Sequence, residues 1–352
     1  MVRFSNPRTR HPFHMHDMIR GQPAFVEEAL ERTRGADLGP FVGRRRELIV
    51  TGCGTSFHAA MYGARVLQEA VGSTGVVRAV HAYDLAYGLR PSRAATVLGV
   101  SHSGSTPTTN VALRRAARGG SRTLGLCGLP GSDMEKETDR TWVIGSTHDR
   151  SWANTMSYTT QLTAFAALGA RLGGPELSGV RRGVRALPHS LETALECEAS
   201  IREIARGVAR RDRVTFLGGG LDAITTLEAA LKIRETCSLP ASGYHTEQVL
   251  HGPCLSIDRR ESVVMLRSRD DGARAEAIRK SMLRFGARVT TIGDAPDAEI
   301  RLPSIERILR PIVSIVPLQF LAYYAAIERR ANPDIMRTDI PRYREGLEPL
   351  FH

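Results

Sequence analysis

The feature that most constrains the fold of this chain is an internal repeat at a constant offset. Leu48–Gly54 aligns with Val214–Gly220, and each is an apolar run that ends in glycines. The same offset, from position 48 to position 214, aligns Thr96–Val100 with Ser262–Leu266 and Thr123–Leu126 with Val289–Ile292. Three predicted strands therefore recur in order without a gap, which predicts two copies of one structural module.

Each copy follows the pattern strand, glycine-rich turn, helix, strand, loop, helix, strand. This alternation is typical of the α/β class, with a parallel sheet covered by helices on both faces. A chain of 352 residues is long enough for two such modules. We expect an N-terminal leader and helix at 1–45, a first module at 46–173, a helical connector at 174–212, a second module at 213–335 and a C-terminal tail at 336–352.

The formal net charge of +11 first raises the question of a nucleic-acid or membrane partner. Only three of the 48 basic residues are lysines, and the arginines are spread along the whole chain. No basic stretch is interleaved with aromatic residues, as nucleic-acid modules require. We therefore expect no nucleic-acid and no membrane partner, and phosphorylated small molecules are the better match for the charge.

The five cysteines form no CxxC pair, which indicates a reducing compartment and a cytoplasmic protein. The segment 1–17 contains no apolar signal region, and we expect Pro317 to break the apolar run Ile312–Ile327 before it spans a membrane. Three histidines, His11, His14 and His16, are more simply part of a flexible leader than metal ligands. We expect no metal and no cofactor.

Two polar loops follow predicted strands of the first module, where open α/β sheets bind ligands. They are Gly52–Ser56 and Ser101–Thr106, and the second directly precedes a helix that begins near Thr108. Hydroxyls and free amides at a helix N-terminus suit a phosphate, although they also serve as ordinary caps and turns. Because the equivalent turn Arg267–Asp271 is charged and partly acidic, the sequence predicts a phosphate site in the first module alone.

The helix after Gly220 carries Glu228, Lys232 and Glu235 on one face. A solvated row of ion pairs explains this spacing as readily as a catalytic site does. Downstream, His251 precedes Gly-Pro in a turn, so that a carboxylate and an imidazole lie close together in sequence. Together they could supply a base and an acid.

Together these motifs resemble the sugar isomerase (SIS) family with two tandem modules, and within it the isomerase part of glutamine:fructose-6-phosphate aminotransferases and related deaminases and deglycases. The similarity covers about residues 18–342. The motifs that carry it are Gly52–Ser56, Ser101–Thr106, Asn154–Leu162, Glu228–Glu235 and His251–Pro253.

The resemblance implies a role for each motif. It implies that the sugar 6-phosphate is bound by Ser101, His102, Ser103 and Thr106, and that Thr55, Ser56, Asn154 and Thr155 lie near the sugar hydroxyls. It implies that Glu235 moves a proton between C1 and C2, that Lys232 lies close to it, and that His251 opens the ring. In the family this histidine comes from a partner subunit, which implies a homodimer.

The sequence departs from the family in three places. It has no counterpart of the glutaminase domain, so we expect no release of ammonia from glutamine. Asn154 replaces a family serine, and Met156 replaces a lysine. The lysine that forms a Schiff base with the ketose aligns with Gly346, and no lysine follows Lys280.

An enzyme imine makes a plain ketose more electrophilic, whereas a substrate that already carries an amine needs no such help. The missing lysine therefore favours an aminosugar-phosphate deaminase or a fructosamine-6-phosphate deglycase. Two alternatives stay open. One is a synthase-like aminotransferase and isomerase that takes ammonia from a separate glutaminase, and the other is a non-catalytic module that senses sugar phosphates.

Overall fold

The computed structural model describes residues 6, 8–42 and 47–350. Its helices are α1 (His14–Arg20), α2 (Gln22–Arg32), α3 (Thr55–Val71), α4 (Ala82–Tyr87), α5 (Pro107–Arg118), α6 (Asp133–Glu137), α7 (Thr155–Leu172), α8 (Ser178–Leu195), α9 (Glu198–Ala209), α10 (Asp222–Cys237), α11 (Gly272–Arg284), α12 (Arg310–Glu328) and α13 (Pro341–Leu347). Its strands are β1 (Glu47–Thr51), β2 (Val76–Ala79), β3 (Thr96–Ser101), β4 (Arg122–Cys127), β5 (Arg140–Val143), β6 (Arg213–Gly218), β7 (Ala241–His245), β8 (Glu261–Arg267), β9 (Arg288–Gly293) and β10 (Ile300–Arg301).

The strands form two parallel five-stranded sheets with the same topology. One has the order β2-β1-β3-β4-β5, and the other, read in the same direction, has β7-β6-β8-β9-β10. The register also repeats, because Leu48 pairs with Thr96, and their counterparts in the repeat, Val214 and Ser262, pair with each other. The predicted α/β fold with two tandem modules is confirmed.

The central strands are almost wholly buried, as expected when helices cover both faces of a parallel sheet. The turn after the first strand of each module requires glycine. A Cβ on Gly52 would lie 2.9 Å from the carbonyl oxygen of Ser56, and one on Gly218 would lie 2.7 Å from that of Asp222. The two turns therefore bring the strand end against the following helix, and only glycine allows this approach.

The described chain divides into two compact units. One contains 22–42, 47–149 and 156–188, and the other contains 6, 8–21, 150–155 and 189–350. The predicted connector 174–212 contains two helices, α8 and α9. The module boundaries at 173 and 212 stay a prediction, and the one at 45 lies outside the described residues.

The flexible leader expected around the three N-terminal histidines is wrong for residues 14–20, which form α1. The helix is held at its start, because the backbone N–H groups of His14 and Met15 donate to the two carboxylate oxygens of Asp334 at 2.8 and 2.9 Å. His16 Nε2 lies 2.6 Å from the carboxylate of Glu198. Asp334 and Glu198, which lie far along the chain, thus hold α1 in place, and the local sequence of α1 gives no sign of these partners.

The expectation that Pro317 breaks the apolar run is also wrong, because Pro317 lies inside the continuous helix α12. By length and composition α12 could cross a membrane, but 89% of its apolar window is buried inside the structure. It packs against α9 and α10. Tertiary packing along the whole helix outweighs the hydrogen bond that a proline cannot donate, and α12 is a core helix.

Candidate active site

The Ser101–Thr106 loop follows β3 and is shaped by its own hydroxyl groups. Ser101 Oγ accepts the backbone N–H of Gly104 at 3.1 Å and lies 2.9 Å from Thr106 Oγ1. Gly104 has φ +65°, and a Cβ there would lie 2.4 Å from Ser132 Oγ. Ser101 therefore shapes the loop, while Ser103 and Thr106 stay half-buried at its surface.

The same loop leads into the N-terminus of α5. Thr106 is the N-cap residue, its side chain makes no capping hydrogen bond, and Pro107 takes the first helical position. The first-turn amides of a helix point outward and carry partial positive charge. The loop and the helix end together suit an anion such as a phosphate.

The repeat-equivalent turn of the second module is filled by the chain's own carboxylates. The N–H of Ser268 donates to Asp271 Oδ2 at 2.6 Å, and the N–H of Arg269 donates to Asp294 Oδ1 at 3.2 Å. Arg269 also forms an ion pair with Asp294 at 3.1 Å. Because carboxylates hold these amides, this turn offers a phosphate less than the first-module loop does.

The side chain of His102 does not face solvent with the rest of its loop. The ring is buried, and its Nε2 accepts the backbone N–H of Asp149 at 3.1 Å. Burial, together with the nearby ring of His148, lowers the pKa of His102 to about 3. The imidazole is therefore neutral near pH 7, with Nε2 as the acceptor and the proton on Nδ1. The phosphate contact of His102 stays a prediction.

Asp149 is a site residue that the sequence analysis missed. Its side chain is fully buried, and Oδ2 accepts both the N–H and the Oγ–H of Ser157 at 3.2 Å. Asp149 thus ties the His102 loop to the first turn of α7. Its sequence context, between His148 and Arg150, is that of an ordinary charged loop, so no local signal could have found it.

The turn after β1 contributes Thr55 and Ser56, which begin α3. Thr55 is buried, and Ser56 Oγ accepts a hydrogen bond from Gln161 Nε2 at 3.1 Å. Gln161 belongs to the sequence motif at 154–162, although the sequence analysis gave it no role. Its contact holds the Ser56 hydroxyl in the turn.

The charged face of α10 is buried, so the alternative of a solvated row of ion pairs is wrong. Glu228 and Lys232 have no exposed side-chain surface, and Glu235 has 15%. Lys232 Nζ lies 3.2 Å from Glu228 Oε1 and 2.5 Å from Glu235 Oε2. The ammonium of Lys232 thus bridges the fully buried carboxylate of Glu228 and the partly exposed carboxylate of Glu235.

Lys232 also donates a hydrogen bond to the carbonyl oxygen of Ala153. Burial alone would lower the pKa of Lys232, but the charges of Glu228 and Glu235 raise the pKa above its ordinary value. The side chain is therefore a cation at neutral pH. It is positioned as a structural charge rather than as a nucleophilic amine.

The segment 150–155 is fixed in an unusual backbone conformation. Asn154 has φ +53°, and its side-chain amide donates to the carbonyl oxygen of Trp152 at 2.9 Å. Asparagine tolerates this left-handed region better than most residues do. The carbonyl oxygen of Thr155 accepts a hydrogen bond from Gln319 of α12 at 3.1 Å. With the contact from Lys232 to the backbone before Asn154, these bonds hold Asn154 and Thr155 in place.

His251 is exposed in a turn after β7, next to Gly252 at φ +118°. In the described part of the chain its side chain makes no hydrogen bond. Glu247 lies close enough to interact with it electrostatically. Within one chain, no hydrogen bond or ion pair of the described residues joins His251 to Glu235. Gly346, where the family has its Schiff-base lysine, lies in α13 with open space beside its Cα.

With this geometry in place, the chain can be compared with known proteins. A model of the SIS domain matches residues 43–171. The matched segment contains the first sheet, and the second sheet repeats its topology.

The more particular similarity is to one group of enzymes. The chain is 32% identical over 345 residues to the isomerizing glutamine–fructose-6-phosphate aminotransferase of Gloeobacter violaceus, covering 90% of this chain and 56% of that protein. The C-terminal domain of glucosamine-fructose-6-phosphate aminotransferase from Francisella tularensis aligns with a TM-score of 0.84 at 20% identity, covering 94% of this chain and 99% of that domain. Glucosamine-6-phosphate deaminase from Thermotoga maritima aligns with a TM-score of 0.74 at 20% identity, covering 92% and 97%. The chain spans about half the length of the curated relatives that it matches.

Proposed function

We propose that this protein is a phosphosugar isomerase-type enzyme that acts on an amino-substituted hexose 6-phosphate and releases the amine. In this proposal the Ser101–Thr106 loop binds the phosphate, and Thr55, Ser56, Asn154 and Thr155 lie near the sugar hydroxyls. Glu235 transfers the proton between C1 and C2. Water then hydrolyses the resulting imine and frees the amine. A 2-amino aldose phosphate gives a ketose phosphate in this way, and a 1-amino ketose phosphate gives an aldose phosphate.

The observation that carries the proposal is the arrangement on α10. Glu235 reaches solvent while Lys232 beside it is buried and charged. A cation 2.5 Å away favours the ionised form of a carboxylate, which is the form that accepts a proton. The positions of Glu228 and Lys232 in the first module are Tyr62 and Val66 of α3, so the repeated fold does not require this ion cluster.

The absence of a suitable amine supports an amine-bearing substrate. Gly346 offers no side chain, and Lys232 is held as a cation between two carboxylates. A protonated amine cannot attack a ketose carbonyl. A substrate that brings its own nitrogen bypasses this step, as an aminosugar-phosphate deaminase or a fructosamine-6-phosphate deglycase requires.

The second candidate is an aminotransferase and isomerase that uses ammonia from a separate glutaminase. The similarity to isomerizing aminotransferases favours it, since these are the relatives with the highest identity given above. In either case we propose a cytoplasmic homodimer in which His251 of one subunit opens the sugar ring bound to the other. The unpaired thiols of all five cysteines are compatible with that compartment.

The test is turnover with glucosamine 6-phosphate and fructosamine 6-phosphate, followed by the release of ammonia or amine and of hexose phosphate. Glu235→Gln should lower kcat by roughly 100-fold or more with little change in substrate affinity, because the amide keeps the shape and loses the base. The matched control is Glu69→Gln, at the equivalent position of α3, which should keep wild-type kcat. Retention of more than about a tenth of kcat by Glu235→Gln would contradict the proposal.

Fructose 6-phosphate with ammonium chloride tests the second candidate. Formation of glucosamine 6-phosphate, with no release of amine from the amine-bearing panel, would favour the aminotransferase. Substrate binding without any turnover would leave the sensing module as the function.

A further inference from the structure

A second basic cavity lies in the unit that contains the first sheet, away from the loops described above. It has a volume of about 490 Å³. Its lining residues are Arg90, Pro91, Arg93, Arg115, Arg118 and Gly119. Among these described residues there is no acidic side chain. We call this cavity the arginine basin.

One of the four arginines has a structural task. Arg115 donates to the carbonyl oxygens of Ala86 at 2.7 Å and Gly88 at 3.4 Å. In the described chain Arg90, Arg93 and Arg118 are exposed and form no ion pair, whereas Arg114, one residue from Arg115, pairs with Glu137 at 2.7 Å. Guanidinium groups that share one cavity repel one another unless an anion lies between them.

The internal repeat shows that the fold does not need this cluster. The repeat offset places its four arginines on Ser256, Arg259, Ser281 and Arg284 of the second module. The position that matches Ser92 at the same offset is Asp258, which binds the neighbouring Arg260 at 2.8 Å. Only the first module therefore concentrates four positive charges here without an acid. Both modules keep an arginine at one of these positions, Arg93 in the first and Arg259 in the second. Arg93 packs on Gly120, and Arg259 packs on the equivalent Gly286.

The arginine basin lies at the amino ends of the strands, whereas the Ser101–Thr106 loop lies at their carboxyl ends. Its residues at 90–93 precede β3 and Gly119 precedes β4, whereas the loop follows β3. The two places mark the two ends of α5, whose length is about 18 Å at the usual helical rise. The basin therefore cannot be part of the proposed sugar-phosphate site.

We propose that the arginine basin binds a small molecule that carries two or more linked phosphate groups, such as a nucleoside triphosphate or a short inorganic polyphosphate. Four positive charges exceed what a single phosphate needs, and the guanidinium groups of Arg90, Arg93 and Arg118 can each bind phosphate oxygens in a bidentate way. The cavity volume falls in the range of small-molecule sites.

The experiment is isothermal titration of the full chain at constant ionic strength with tripolyphosphate, ATP and inorganic phosphate. We expect one site per chain for tripolyphosphate and ATP, and at least tenfold weaker binding of inorganic phosphate. In the double variant Arg90→Ser/Arg118→Ala the Kd for tripolyphosphate should rise at least tenfold. Arg115 is kept in this variant because its backbone contacts support the end of α4.

Two controls separate this proposal from the proposed catalytic function. Arg284→Ala removes the equivalent arginine of the second module and should leave the Kd for tripolyphosphate unchanged. Ser103→Ala/Thr106→Ala changes the other phosphate loop and should also leave it unchanged. Equal affinity of wild type and Arg90→Ser/Arg118→Ala for tripolyphosphate would overturn the proposal, as would equal binding of inorganic phosphate. Tighter binding of ATP than of tripolyphosphate would support the proposal and assign the site to a nucleotide.

Discussion

At the scale of single residues, Lys232 links two parts of the candidate site. It bridges two carboxylates on α10 and binds the backbone beside Asn154. A buried ammonium would be costly alone, but its carboxylate partners offset the loss of hydration. Lys232 therefore positions the carboxylate of Glu235 and the 150–155 segment.

This role predicts the outcome of a trapping experiment. Because Lys232 stays protonated, borohydride added during turnover of an amine-bearing sugar phosphate should leave no sugar adduct on the protein. Mass spectrometry of the peptide that contains Lys232 provides the measurement. A sugar-sized mass on that peptide would instead show a Schiff base and a synthase-like mechanism.

His102 predicts a loss of stability in acid. Its pKa is about 3 in the folded chain against 6.5 in the unfolded one, so the unfolded chain binds more protons between these values. Stability must therefore fall as the pH drops below 6.5, and at pH 5 the contribution lost is about 2 kcal/mol. Urea unfolding at pH 7.5 and pH 5 measures it. His102→Asn should reduce the pH dependence by that amount, and an equal dependence in the variant would contradict the assignment.

At the scale of elements, the loops after β3 and β8 occupy equivalent positions in the repeat but use different groups to accept hydrogen bonds from their backbone amides. The loop after β3 uses the hydroxyl of Ser101, while the turn after β8 uses the carboxylates of Asp271 and Asp294. A carboxylate on these amides repels a phosphate and competes for the same donors. One fold thus gives one open polar loop and one turn that is closed by carboxylates.

This difference predicts that one phosphosugar binds per chain, at the first-module loop. Ser103→Ala/Thr106→Ala should raise KM because each lost hydrogen bond to a charged oxygen is worth about 1.5 to 3 kcal/mol. Arg269→Ala, at the position equivalent to Ser103, is the control and should leave KM unchanged. Steady-state kinetics would refute the assignment if the double variant kept the wild-type KM.

The strands that recur in the internal repeat could be predicted from the sequence. Strands β1, β3 and β4 and their second-module counterparts follow from the offset, and the polar loop before α5 follows from its own serines and threonines after a predicted strand. The burial of Glu228 and Lys232 was not predictable, because the same spacing occurs on exposed helices. Asp149 was missed because its role depends on two loops 47 residues apart in sequence meeting in space.

At the scale of the whole molecule, the exposed position of His251 makes the proposed dimer testable. If each site uses Glu235 of one subunit and His251 of the other, the inactive variants Glu235→Gln and His251→Ala should complement one another. Equal mixing with subunit exchange forms hybrid dimers with one intact site, which should restore about a quarter of wild-type activity. Turnover of the mixture is the measurement, and a mixture as inactive as its components would place both residues in one subunit.

The contact between α1 and Asp334 also sets an order of events during synthesis. The helix leaves the ribosome well before its partner, because the carboxylate that receives the N–H of His14 is added 320 residues later. At the usual elongation rate this interval is roughly 15 to 60 s. Met15 and Ile19, which are fully buried in the finished fold, must stay exposed or shielded by a chaperone until then. The nascent chain therefore carries an exposed apolar helix while these 320 residues are made, and the arrival of the later segment ends that exposure.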